Sequence, residues 1–102
     1  MAAHGKNGCY VCTDKDCRRD DGWAELVKAL KATGRVREVD CQDLCDGPVA
    51  GVTVDGRVEW FEKVRKERAR RAVVALATGE VDEVPKILRT RWARKHSGKV
   101  KR

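Results

Sequence analysis

The amino-acid sequence predicts an α/β domain, and three observations carry that reading. Segments with strand character alternate with segments of helical periodicity along a chain of 102 residues, the pattern of sheet-and-helix layers. An Asp55-Gly56 dipeptide lies between two runs rich in β-branched residues, a strong local signal for a hairpin because both turn positions need positive φ. Helical patterns precede and follow the strand-rich middle, giving the order strand, helix, strand, hairpin, helix.

Each element has its own justification. Gly8 to Cys12 reads as a short strand that enters a polar loop reaching Gly22. Trp23, Leu26, Val27 and Leu30 recur at i, i+3, i+4 and i+7, the stripe of an amphipathic helix. Asp20 or Asp21 is the expected cap and Gly34 the expected stop. Arg35 to Asp40 reads as a second strand, although Val36 and Val39 do not alternate strictly. Cys41 to Pro48 is a loop, punctuated by Gly47 and Pro48. Val49 to Val54 and Arg57 to Trp60 form the hairpin arms. From Phe61 a helical pattern runs through Val64, Ala69, Ala72, Val73 and Leu76 to Gly79. A further helix is expected over Asp82 to Lys95, with Asp82 as cap, Pro85 in the first turn, and Leu88 and Trp92 on one face. The organisation is therefore a flexible arm at 1–7, a domain at 8–79 and a basic C-terminal extension at 80–102.

Composition narrows the function classes. Five aromatic residues leave little bulk for a core, and small domains of this kind gain from a bound inorganic centre. There is no apolar run long enough to span a membrane. The first seven residues lack the apolar stretch of a secretory signal, so a cytoplasmic location is expected. In a reducing compartment five cysteines point to ligands or free thiols before disulfides. The net charge of +7 is uneven: Lys86 to Arg102 holds eight Lys/Arg and no acid, leaving the rest nearly neutral. Arguments about partners therefore attach to the extension.

The most specific motif is a set of four cysteines, Cys12-x4-Cys17 and Cys41-x3-Cys45. Thiolates are soft ligands, and two close pairs can offer four sulfurs to one centre. Each pair follows an expected strand, so neighbouring strands would deliver both loops to one end of a sheet. A binuclear cluster needs two thiolates per iron, which two loop-borne pairs supply; the simplest assignment places Cys12 and Cys17 on one iron, Cys41 and Cys45 on the other. Zinc bound by four thiolates is the competing reading. Cys9 and Cys12 also spell C-x-x-C, but a dithiol enzyme carries that motif at a helix N-terminus, and here it falls on a strand. Cys9 is instead expected as a small buried strand residue. A Rieske-type centre needs two histidines near the cysteines; His4 and His96 lie in the arm and the extension and are expected on the surface.

The stretch Val11-Cys12-Thr-Asp-Lys-Asp-Cys17-Arg-Arg, together with Asp40-Cys41-Gln-Asp-Leu-Cys45-Asp-Gly-Pro48-Val49 and the hairpin after it, resembles the thioredoxin-like [2Fe–2S] ferredoxin family. That family includes free-standing ferredoxins and the small [2Fe–2S] subunit of complex I and related hydrogenases. The resemblance spans Gly8 to Gly79. It implies a compact thioredoxin-like fold, with helices packed on a four-stranded mixed sheet. It also implies a [2Fe–2S] cluster on Cys12, Cys17, Cys41 and Cys45, and one-electron transfer without catalytic residues. The segment between the pairs is shorter than in the complex I subunit, which favours the free-standing branch.

The implied partners are redox proteins, a reductase and an acceptor. The basic extension has no counterpart in the family pattern and admits three roles: a solubilising terminus, docking onto an acidic redox partner, or contact with nucleic acid. No helix-turn-helix or RNA-recognition signature accompanies it, so nucleic acid is not the expected partner. The alternative to a ferredoxin is a zinc-stabilised binding module whose basic extension contacts nucleic acid or an acidic protein. No membrane contact is expected, and a homodimer stays open.

Overall fold

A computed structural model of the chain describes residues 8–13, 18–34, 36–40, 47–54, 56–81 and 83–98. The elements are β1 (Cys9–Cys12), α1 (Trp23–Lys31), β2 (Val36–Val39), β3 (Ala50–Val54), β4 (Arg57–Phe61), α2 (Glu67–Thr78), the short α3 (Lys86–Arg89) and a 3₁₀ turn (Arg94–His96). The expected arm at 1–7 lies outside the described residues. The strands form one mixed sheet in the order β2-β1-β3-β4. β1 and β2 are parallel, which requires a crossover, and α1 provides it. β3 runs antiparallel to β1, and β4 antiparallel to β3. The α/β class and the four-stranded mixed sheet are thus as expected.

Alternation along β1 divides its side chains between two faces. Cys9 and Val11 enter the main core with Leu26 and Leu30 of α1, Ala50 and Val52 of β3, Phe61 of β4, and Ala69, Val73 and Leu76 of α2. Cys12 belongs to a second cluster with Val49 and Trp60, against which Tyr10, Val39, Val58 and Ala93 pack. Gly51 makes this second cluster dense. A Cβ there would stand 2.7 Å from the Trp60 ring, so the indole lies directly across the β3 backbone and meets Tyr10 at a centroid separation of 5.8 Å.

Several boundaries depart from the sequence expectation. Phe61 is not the start of a helix but the last residue of β4, paired with Ala50. α2 begins at Glu67, and buried Val64 sits in the turn between them, its N–H donating to the Pro48 carbonyl at 3.0 Å. The Gly47–Pro48 peptide is cis. Asp20 does not cap α1 directly: Gly22 is the cap residue and makes no side-chain cap bond. Asp20 acts two residues earlier, its Oδ1 accepting from Gly22 N at 3.0 Å and its carbonyl from Trp23 N at 3.0 Å, a local turn of the kind Asp favours. At Gly79 the expected stop holds, with φ +81° and a Glu80 N to Ala75 O bond at 2.9 Å, the bonding that glycine permits past a helix end.

The largest departure is in the C-terminal extension. The helix expected over Asp82–Lys95 is reduced to α3, after which the chain runs along the outer edge of β4. Glu62 N donates to Arg91 O at 2.8 Å, Ala93 N to Trp60 O at 2.8 Å, and Gly98 N to Val58 O at 2.7 Å. An uncovered edge strand leaves its backbone groups unpaired, and pairing them outweighs helical periodicity here. Side chains reinforce the contact. Glu59, almost fully buried, accepts from Trp92 Nε1 at 3.0 Å through Oε1 and from Ser97 Oγ at 2.8 Å through Oε2. Leu88 is fully buried in the main core and Val84 nearly so. Residues 83–98 are therefore built into the same body as the sheet. Among the described residues, no helix is long and apolar enough to cross a membrane.

Truncation of Leu88 tests this integration. Leu88→Ala is expected to lower the unfolding free energy by about 2–5 kcal/mol, the range for a buried leucine, measured by urea denaturation; a loss below about 0.5 kcal/mol, as at a surface position, would show the extension to be peripheral.

Candidate metal centre

The parallel pairing of β1 with β2 aligns Cys12 with Val39. Both chains leave the sheet at this end, β1 through Thr13 and β2 through Asp40. Thr13 stitches the two exits together: its N–H and its Oγ1 both donate to the Val39 carbonyl, at 2.8 and 3.1 Å. β3 enters at the same end, and Cys12 N donates to Val49 O at 3.2 Å. The carbonyl of Cys12 accepts from Trp23 Nε1 at 2.8 Å. Cys12 is thus held on its donor side by the start of β3 and on its acceptor side by the first residue of α1, with its side chain buried between Val49 and Trp60.

The other candidate ligands, Cys17, Cys41 and Cys45, lie outside the described residues, but the ends of the stretches carrying them do not. The first stretch, 14–17, returns to described chain at Arg18 and reaches Asp20. The second, 41–46, returns at Gly47. Arg65, on the turn between β4 and α2, joins these two returns. Its Nη2 donates to Asp20 Oδ2 at 2.7 Å and to the Gly47 carbonyl at 2.6 Å, and its Nε approaches both Asp20 oxygens at 3.2 Å. The two cysteine-bearing stretches are accordingly tied at their departures by Thr13 and at their returns by Arg65. Among the described residues no group of three or more His, Cys, Asp or Glu side chains is placed to hold a metal. The donor set nonetheless suits a thiophilic centre, since the described residues flanking 14–17 and 41–46 are tied to one another by Thr13 and Arg65 and every candidate donor is sulfur.

Comparison with protein-family models, curated proteins and solved structures returns no match. The chemistry of the site therefore has to be read from its own residues.

Cys9 is placed apart from this site. It faces the main core, 1% exposed, with Sγ 3.7 Å from Thr33 Oγ1. Burial pushes its thiol pKa up, against a smaller lowering by the Thr33 contact. Three residues of strand separate it from Cys12 by about 10 Å, beyond the Cα separation of about 7 Å that a disulfide can bridge. With both residues on one strand and their side chains in different clusters, the C-x-x-C has no dithiol geometry. His96 corrects another expectation: it is half-buried, and its Nδ1 is buried with no hydrogen-bond partner among the described residues. His4 lies outside them.

Sequence reasoning missed three contributors. Trp23 was legible as a member of an apolar stripe, but nothing local signals that its indole N–H holds the Cys12 carbonyl. Glu59 reads as an outward polar residue in a hairpin, yet it anchors the extension. Arg65 sits among exposed Lys and Arg residues, 45 positions from Asp20 in sequence, and no local pattern marks it.

The Arg65 hydrogen bond holds the Asp20 carboxyl below its ordinary value of 3.8, with partial burial opposing and the Gly22 N–H assisting. A carboxyl whose pKa is lowered on folding stabilises the fold above the unfolded value, and that contribution is lost as pH falls through the lowered value. Asp20→Asn should therefore destabilise by a constant amount from pH 7 down to about pH 5, and the gap to the wild type should close only below the ordinary carboxyl pKa. Urea unfolding of both proteins across this range is the measurement. A gap that persists undiminished at pH 2 would mean that charge on Asp20 is irrelevant.

Proposed function

We propose that this protein is a one-electron carrier of the ferredoxin type, holding a [2Fe–2S] cluster on Cys12, Cys17, Cys41 and Cys45 in a thioredoxin-like frame. The observation that carries the proposal is the parallel register of Cys12 with Val39, which starts both cysteine stretches side by side at one end of the sheet. The thioredoxin-like frame is supported by the strand–helix–strand–hairpin–helix order, with β1 and β2 parallel and the hairpin antiparallel.

When bound, such a cluster supplies a centre that accepts and releases single electrons. The chain's own residues do the rest. Cys12 offers its thiolate from a strand end whose N–H and carbonyl are both engaged, so the ligand is positioned without a mobile hinge. Val49 and Trp60 close over its side chain and keep water from that sulfur; exclusion of solvent is one means by which a protein tunes potential. Arg18 and Arg19, which follow Cys17 in sequence, are exposed.

The proposed partners are a reductase and an acceptor in the cytoplasm, where five cysteines remain reduced. Arg89, Arg94 and Lys95 are exposed on the docked extension, and the Arg94 guanidinium lies 4.3 Å over the Trp92 ring. Positive charge fixed in this way suits an acidic partner surface and makes association salt-dependent.

Anaerobic preparation and reconstitution with iron and sulfide provide the test. The protein is expected to be red-brown, to hold acid-labile sulfide, and to become paramagnetic on one-electron reduction. Single Ser substitutions at Cys12, Cys17, Cys41 or Cys45 should abolish or alter the spectrum, while Cys9→Ser should leave it unchanged. A colourless protein with stoichiometric zinc, and no labile sulfide after reconstitution, would establish the zinc module instead.

A further inference from the structure

Arg65 is a costly residue to place. Lys63, two positions before it, adopts φ +54°, a left-handed conformation that a non-glycine residue rarely takes. That turn brings the Lys63 carbonyl to the Arg65 N–H at 2.9 Å. On the other side, the chain at Gly22 comes so close that a Cβ would stand 2.6 Å from Arg65 Cβ and 2.7 Å from its Cα. Arg70 Nη1 donates to the Arg65 carbonyl at 2.8 Å, and the neighbouring Val64 N–H is engaged by Pro48. A strained turn, a glycine contact and two flanking hydrogen bonds thus converge on one backbone position. The side chain placed there carries a planar fork, and the fork spans Asp20 and Gly47, the returns of the two cysteine stretches.

We propose that Arg65 is a positioning residue that fixes the mutual spacing of the two cysteine-bearing stretches and supplies the cation that balances Asp20 beside them. The proposal rests on the reading of 14–17 and 41–46 as ligand loops. A lysine cannot reproduce it, because an ammonium offers a point charge where the guanidinium offers several donors in fixed directions. The guanidinium joins Asp20 directly to the Gly47 carbonyl, so its removal loosens the link between two segments that a shared centre needs together. Residues that orient ligands without binding the metal commonly control its retention roughly 10- to 100-fold. Reducing a cluster held by four thiolates adds negative charge, so loss of a nearby cation opposes reduction.

Two measurements on the full chain test this. In the metal-free protein, trypsin should cut after Lys15, Arg18 and Arg19 several-fold faster in Arg65→Met than in the wild type, with cut sites identified by mass spectrometry. In the reconstituted protein, Arg65→Met should lose its visible absorbance in air roughly 10-fold faster and show a lower midpoint potential. Arg65→Lys should also lose absorbance faster but keep a potential close to the wild type. The Asp20→Asn/Arg65→Met pair, which restores the charge balance, should recover the potential but not the retention. Equal trypsin rates would overturn the fastening. An unchanged potential in Arg65→Met, with wild-type cluster present, would overturn the electrostatic role while leaving the ferredoxin reading intact. Failure of the wild type to take up a cluster would overturn that reading and the potential shift with it, and the trypsin comparison would still decide the fastening.

Discussion

The pairing of β1 on both of its sides constrains nearly everything else in the molecule. Its four residues pair in parallel with β2 and three of them antiparallel with β3, and their side chains alternate between a helix-covered face and the Trp60 face. The parallel partner forces the chain through α1 before it can return, which is why Trp23 arrives where it can hold the Cys12 carbonyl. The antiparallel partner brings Val49 and Pro48 back to the end from which the cysteine stretches depart. With only four residues, β1 tolerates little slippage: a register shift by one would exchange Cys9 and Cys12 between the two faces.

The second organising theme is that distant segments are joined by single polar side chains at the sheet's periphery. Arg65 links the returns of two loops, and Glu59 holds the extension by accepting two hydrogen bonds in a nearly dry site. The Glu59 bonds carry more weight in their low dielectric than the exposed Arg65–Asp20 contact does at the surface, and the cost of breaking one buried partner exceeds the net value of the bond. A chain with few aromatic residues gains specificity in this way, where bulk hydrophobic packing is limited.

These facts set how much was legible in the sequence. Elements ruled by local chemistry could be read directly: the hairpin of β3 and β4 around Gly56, the α1 stripe from Trp23 to Leu30, and the glycine stop at Gly79. Those ruled by contacts across the fold could not. Phe61 carries helical periodicity with Val64, yet it pairs with Ala50 because the β3 ladder continues one residue further. Leu88 and Trp92 are spaced for one helix face, but the open β4 edge draws Arg91, Ala93 and Gly98 into backbone hydrogen bonds on either side of a 3₁₀ turn. At the candidate site, strand order implied that β1 and β2 end side by side, and the register of Cys12 with Val39 is that arrangement; Cys17, Cys41 and Cys45 lie outside the described residues. The Arg65 tie is a long-range contact between residues that are ordinary surface charges in sequence.

The covering of β4 by residues 91–98 bears on how copies of the chain can associate. A sheet with two free edges can add strands at both and grow into a filament, whereas one with a single free edge can only pair. With β4 covered from within, β2 is the other edge of the sheet among the described residues. The C-terminal stretch thus withholds the β4 edge from strand addition by another copy of the chain.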